Sequence, residues 1–264
     1  MKSTLLLIIL YLLSNVISLA QNSEDSTSIK VLSFNILHGA TTQNTFDLDA
    51  IAQVIIDANP DFVALQEVDY KTNRAHQYDL ATELGWRSKL LPLFGRAMYF
   101  DGGEYGVAIL SKHTLIASEN MALPTKAGDE PRTALSVTSI LPGSDTIVFI
   151  ATHLDHLKDG ASRLLQAQQL QDVSTKLNHP AIIAGDLNAP PGSPAIELLE
   201  QHWLSSYKHD NPHPTYPSHQ PEVKIDYVMM KPASRWQVVQ REVIADTIVS
   251  DHCAYLVTLK LLKD

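Results

Sequence analysis

The sequence predicts an α/β protein in which two mixed sheets pack together beneath two helical layers. Three observations lead there. Segments with helical periodicity alternate with β-rich runs along the chain. Several of those runs are apolar throughout, as expected for strands covered on both faces. Others lie close together, such as 133–140 and 146–153 around Pro142-Gly143-Ser144-Asp145, which reads as a hairpin.

The first run, 29–35, ends at Asn35. Asp47 to Asn59 then places Ile51, Val54, Ile55 and Ala58 at i, i+3, i+4, i+7, an amphipathic helix that stops at Asn59-Pro60. A second apolar run covers 61–67, and His76 to Leu84 reads as a short helix stopped by Gly85. Strands are expected at 106–111, 133–140 and 146–153. Ala161 to Asn178 is a longer helix, with Leu170, Val173 and Leu177 on one stripe. After the run 181–187, Ser193-Pro194 is a cap followed by proline in the first turn, opening a helix through about Gln201. Runs 224–230, 236–244 and 253–261 complete the strands.

The first twenty residues read as a signal peptide. Lys2 precedes an apolar core, Leu5 to Leu13, and Ser18-Leu19-Ala20 forms a small-x-small cleavage site. Ser14-Asn15 interrupts the apolar stretch, which falls short of the roughly 20 residues that cross a bilayer. A secreted or periplasmic protein with no transmembrane segment after cleavage is expected. Residues 21–28 are polar and read as a disordered leader, leaving 29–264 as a single domain, expected to be a monomer. The one cysteine, Cys253, excludes an intrachain disulfide and suits a buried bystander better than a nucleophile. The formal charge is −9, or −10 without Lys2, which offers no general attraction to long duplex DNA.

The chemistry sits at the ends of the apolar runs, where polar tips can gather at one sheet edge. Such a gathering makes a divalent-cation site beside a proton-transfer pair and points to phosphoester hydrolysis. Glu67 suits Mg²⁺, which prefers oxygen donors and keeps several waters, although a solvated loop glutamate is the competing reading. Asn35 suits such a site or a turn. In Gly185-Asp186-Leu187-Asn188, glycine permits close backbone approach, while Asp186 and Asn188 face the same side of an extended segment. They can orient a water and donate a hydrogen bond to a phosphoryl oxygen. Thr152-His153-Leu154-Asp155-His156 contains part of the dinuclear zinc pattern HxHxDH, but Ala151 stands where its first histidine belongs. His153 is better placed to hydrogen-bond a phosphate, with His156 lining the cleft or capping the helix. Asp226 and Asp251 allow one aspartate to hold the tautomer of His252 while the other serves the metal.

From Ser33-Phe34-Asn35 through Gln66-Glu67, Gly185-Asp186-Leu187-Asn188 and Ile225-Asp226-Tyr227 to Ser250-Asp251-His252, the chain resembles the endonuclease/exonuclease/phosphatase superfamily. The resemblance implies a DNase I-like four-layer α/β sandwich and a Mg²⁺-dependent phosphoesterase, with Mn²⁺ as a substitute. It implies Glu67 as the principal metal ligand with Asn35 and Asp251 close to the ion, and Asp226 with His252 as the acid/base pair. Asp186 and Asn188 become the water-orienting and phosphate-contacting residues, and His153 the grip on the scissile phosphate. The general base stays open between Asp186 and His252, as does the choice of one or two metal ions. Tyr105 and Arg132 match blocks that approach the site and are candidate substrate contacts.

Lys71 and Arg74, after Glu67, offer two cations for a second phosphate or a headgroup, or form a solvated loop. No long basic, aromatic-interleaved insertion for gripping a strand is present. A small organic phosphate or lipid headgroup is therefore favoured over DNA or RNA as the phosphate-ester substrate. The rivals are a silent binding module on the same scaffold and a calcineurin-like metallophosphatase, which needs a Gly-Asn-His block that the chain lacks.

Overall fold

A computed structural model describes residues 26–143 and 145–263; the expected signal peptide and residues 21–25 of the expected leader lie outside them. Two six-stranded sheets pack face to face. The first runs β11 (Trp236–Ile244), β12 (Ala254–Leu262), β1 (Ser26–Asn35), β2 (Phe62–Tyr70), β4 (Gly103–Ser111), β3 (Leu91–Phe100). The second runs β5 (Thr114–Leu123), β6 (Arg132–Ile140), β7 (Thr146–His153), β8 (Ala181–Asp186), β10 (Asp226–Lys231), β9 (Leu204–Ser205). Helices α1 (Leu48–Ala58) and α2 (Leu80–Ser88) cover the first sheet, and α3 (Ala161–Ser174) and α4 (Pro194–Glu200) the second. The expected four-layer sandwich is the fold.

The apolar runs are continuous because both faces of the inner strands are buried. Along β1, Ile29 and Val31 enter the core between the sheets, while Leu32 and Phe34 meet Ile51 and Ile55 of α1 and Leu80 and Leu84 of α2. On β8, Ile182 and Ala184 face the other sheet, and Ile183 packs with Leu170 of α3 and Ile196 of α4. Each such large side chain contributes about 1.5–3 kcal/mol on full burial, so these strands are anchored from both layers.

Several boundaries differ from expectation. The strand β1 already starts at Ser26, where it pairs with Leu262, so residues 26–28 are part of the sheet rather than a disordered leader. The short helix begins at Leu80, not His76, because Asp79 caps it by accepting from the Thr82 backbone N–H; His76 and Gln77 are left-handed. Gly85 does not end it: a Cβ there would come within 2.9 Å of Leu90 O, so the glycine serves packing. The long helix α3 closes at Ser174 rather than Asn178. Strands β3, β5 and the two-residue β9 were not expected; each lies at a sheet edge. No helix among the described residues is long and apolar enough to cross a membrane.

Strand direction places the site. The pairs β1·β2 and β7·β8 are parallel, while β4, β6, β10 and β12 run antiparallel to their neighbours. The C-terminal ends of β1, β2, β7 and β8 therefore meet the N-terminal ends of β4, β6, β10 and β12 at one edge of the sandwich.

Candidate active site

Local backbone geometry aims the polar tips. On β2, Gln66 and Glu67 together lie opposite one residue of β4, a bulge between Leu65 and Val68, and Glu67 takes a left-handed φ of 57°. Bulges bend a strand and re-aim its side chains, here turning Glu67 toward the sheet edge. On β8, the register sets His153, Asp186 and Asp226 side by side on three adjacent strands. Gly185 makes that approach possible, since a Cβ would sit 2.0 Å from Thr152 O.

The expected residues converge. The cavity of about 430 Å³ is lined by Glu67, Arg74, Tyr105, Arg132, His153, Asp186, Asn188, Asp251 and His252 among others. Asp226 is fully buried behind it, accepting from His252 Nδ1 at 3.0 Å, while His252 Nε2 lies 3.7 Å from Asp186 Oδ2. Burial works against the His252 imidazolium, yet the charges of Asp226 and Asp186 outweigh it and raise its pKa to about 10. Asp186 also feels burial, but His252 and His153 hold its carboxyl below the usual range. His153 Nε2 is 3.4 Å from Asp186 and 3.0 Å from Asn188 Nδ2, which also donates to Leu154 O.

Glu67 is held at both oxygens. Asn35 Nδ2 donates to Oε1 at 3.1 Å, and His38 Nδ1 lies 3.5 Å from Oε2. Burial would raise its pKa, but the His38 hydrogen bond, the charge of His153 and the Asn35 hydrogen bond bring it to about 2. Asn35 also donates to Asp186 at 3.3 Å, and its Oδ1 accepts from the Leu37 backbone N–H. It thus turns its amide NH₂ toward the two carboxylates and holds them in place.

The donor set fits a hard cation. Asp251 Oδ1 is buried without a hydrogen-bond partner, and burial pushes its carboxyl up, with nearby Glu67 adding to the effect of desolvation that His252 partly offsets. Two carboxylates crowded at one cavity, one with an unused oxygen, suit a divalent ion. Asp186, Asp226 and His252 also bring ligand atoms within 4.8 Å of one another. There, however, both imidazole nitrogens already face carboxylates, so a metal would have to replace the proton-bearing contacts of His252.

The remaining candidates differ in kind. Arg74 lines the cavity, but its Nε and Nη2 are bound to Asp69 at 2.7 and 2.9 Å and its plane lies over Phe100. Lys71 sits over Tyr70 and does not line the cavity. Tyr105 is buried at the wall, and Arg132, 4 % exposed, pairs with Glu130. His156 lines the cavity and accepts from Arg132; it does not cap α3, whose N-cap is Gly160. Sequence reading missed His38, Met98, Phe100, Glu130 and Tyr216, whose ring lies 4.8 Å from that of His252. The proximity of His38 to Ser33-Phe34-Asn35 and of Glu130 to Arg132 could have signalled two of them.

Residues 32–252 match the profile of the Endonuclease/Exonuclease/phosphatase family. No curated protein matches the chain. Among solved structures, a family protein from Bacteroides thetaiotaomicron is 19% identical with a TM-score of 0.72, covering 89% of this chain and 98% of its own. A mannosyl-6-phosphatase from the same organism is 18% identical with a TM-score of 0.70, covering 88% and 99%. The human Nocturnin catalytic domain with bound sulfate is 19% identical with a TM-score of 0.71, covering 90% and 96%. At these identities the structures establish a shared fold, and the sequence profile spans most of the chain. The chain belongs to the endonuclease/exonuclease/phosphatase family and is a hydrolase of phosphoric esters.

Proposed function

We propose that this protein is an exported, Mg²⁺-dependent phosphoesterase that hydrolyses a small phosphomonoester or phosphodiester by in-line attack of water. The convergence of Glu67, His153, Asp186, Asn188, Asp251 and His252 on one cavity carries this reading. At about 430 Å³ the cavity suits a small ester and its leaving group, since ligand pockets run from roughly 300 to 1,000 Å³. The structural neighbour described as a mannosyl-6-phosphatase supports a small organic phosphate on this scaffold.

In this mechanism the Asp186 carboxylate accepts a hydrogen bond from the attacking water and fixes its line of approach. Asn188 Nδ2 and His153 Nε2 form the polar pair that a phosphoryl oxygen meets. His252, held protonated by Asp226, places positive charge beside the reacting group and takes part in proton transfer. A divalent cation held by Glu67 and Asp251 would neutralise charge on the phosphoryl oxygens. Positioning and electrostatics supply most of the catalysis in phosphoryl transfer, which suits a site built of fixed charges.

The test is a panel of phosphomonoesters, phosphodiesters, phospholipids and single- and double-stranded nucleic acids, assayed with Mg²⁺, Mn²⁺ or EDTA. Metal-dependent turnover of small esters above nucleic acids is expected. Preferred cleavage of DNA or RNA would replace this reading with a nuclease, and no turnover of any ester would leave a silent binding module.

A further inference from the structure

The start of β6, beside His153 on the cavity wall, carries a second polar cluster. Arg132 opens β6, and its Nη2 lies 3.0 Å from Glu130 Oε1 and 3.2 Å from His156 Nδ1. A guanidinium can only donate, so His156 Nδ1 is the acceptor and Nε2 is the ring nitrogen left to donate. The Nε and Nη1 groups of Arg132 are buried without partners and are not presented to a ligand. The cluster therefore offers the second oxygen of the partly exposed Glu130 carboxylate as an acceptor and an imidazole N–H as a donor, and its charges cancel.

The other guanidinium at this wall is compensated in the same way. Arg74 forms a two-point ion pair with Asp69, and among the described residues lining the cavity there is no lysine. A second phosphate on the substrate would find no uncompensated cation here and would lie against the Glu130 carboxylate. A neutral group bearing hydroxyls would find both hydrogen-bond polarities. The remaining wall, with Met98, Phe100 and Tyr216, supplies apolar surface, the two aromatic residues each being 37 % exposed. Neutral polar groups set in such a wall are what orient a small ligand.

We propose that Glu130 and His156, locked in place by Arg132, form a hydroxyl-recognition subsite, so that the substrate is a singly phosphorylated polyol such as a sugar phosphate. This rests on the phosphoesterase reading and narrows it. Glu130 and His156 set specificity, and hydrolysis itself stays with the residues around Asp186.

The experiment compares kcat/KM for p-nitrophenyl phosphate, n-butyl phosphate, a hexose 6-phosphate and the corresponding hexose bisphosphate. The hexose monophosphate should exceed n-butyl phosphate by about tenfold or more, the scale of one or two well-made hydrogen bonds, and should exceed the bisphosphate. In Glu130→Gln and His156→Ala the hexose-to-butyl preference should shrink toward one through KM, and Glu130→Gln should narrow the gap to the bisphosphate. Equal use of hexose and butyl phosphates, a preferred bisphosphate, or an intact preference in both variants would overturn the subsite while hydrolysis stood. Should no ester turn over, the phosphoesterase reading fails instead. Calorimetric binding of hexose 6-phosphate, bisphosphate and n-butyl phosphate in EDTA then still decides the subsite by the same ranking.

Discussion

Asp226 stands directly opposite Asp186 across the antiparallel pair β8·β10, and His252 lies between the two carboxylates. Two buried acids at adjacent strand positions repel each other unless a cation separates them, and the imidazolium fills that role. Replacing Asp226 by asparagine keeps the shape but removes the charge that holds the His252 proton and tautomer. Turnover should fall by roughly 10²-fold or more, with KM changed far less and the circular dichroism spectrum kept. Wild-type turnover in this variant would take Asp226 out of the chemistry.

The same triad couples the two candidates for the general base. Asp186→Ala and His252→Ala should each lower turnover by roughly 10²-fold or more without unfolding the protein. If the two act as one unit, the double variant loses no more than the worse single variant. Multiplicative losses would show that Asp186 and His252 act in separate steps.

What the sequence made legible was what two-sided burial writes into it. Strands β1, β2, β7, β8 and β12 are covered on both faces, so their apolar runs and polar ends stand out, and those ends gather at one cavity. Edge strands β3 and β5 lack that cover: β3 contains Pro92 and Gly95, and β5 is mostly exposed, so neither shows a clear period. The bulge that turns Glu67 leaves no signal in residue type. Tyr216 reaches the cavity from a loop, and only the folded chain brings it beside His252; Glu130 stands two residues before Arg132, but nothing in its residue type marks it as turned toward the cavity. Arg74 was legible as a cation near the site, but not as one already paired, because it is the turn of the loop, not the spacing, that brings Asp69 onto its guanidinium.

Metal affinity should depend on how Glu67 is held as well as on its charge. Asn35 and His38 each face one of its oxygens, and Leu37 and His38 adopt left-handed φ values of 45° and 47° to bring the imidazole there. Partners of metal-ligating groups typically contribute about 10–100-fold to affinity. EDTA should abolish activity and added Mg²⁺ or Mn²⁺ should restore it. Calorimetry should show weaker Mg²⁺ binding in His38→Ala by about tenfold and a larger loss in Glu67→Gln. Unchanged binding in both variants would move the ion away from Glu67.

Gly185 links the fold to the site most tightly. It pairs with Thr152 on one side and Tyr227 on the other, one residue before Asp186 and beside the residue before His153. A methyl group there would fall 2.0 Å from Thr152 O, a backbone atom that cannot rotate aside. Gly185→Ala must therefore push β7 from β8 where the two catalytic candidates meet. Overpacking of this kind costs about 1–3 kcal/mol, so the Tm should fall by roughly 2–12 °C. Assayed well below that Tm, the folded variant should still lose turnover, because the 3.4 Å approach of His153 to Asp186 depends on the register that Gly185 permits. A destabilised variant with wild-type turnover would mean that this contact is set elsewhere, by Asn188 and Asn35 rather than by the strands.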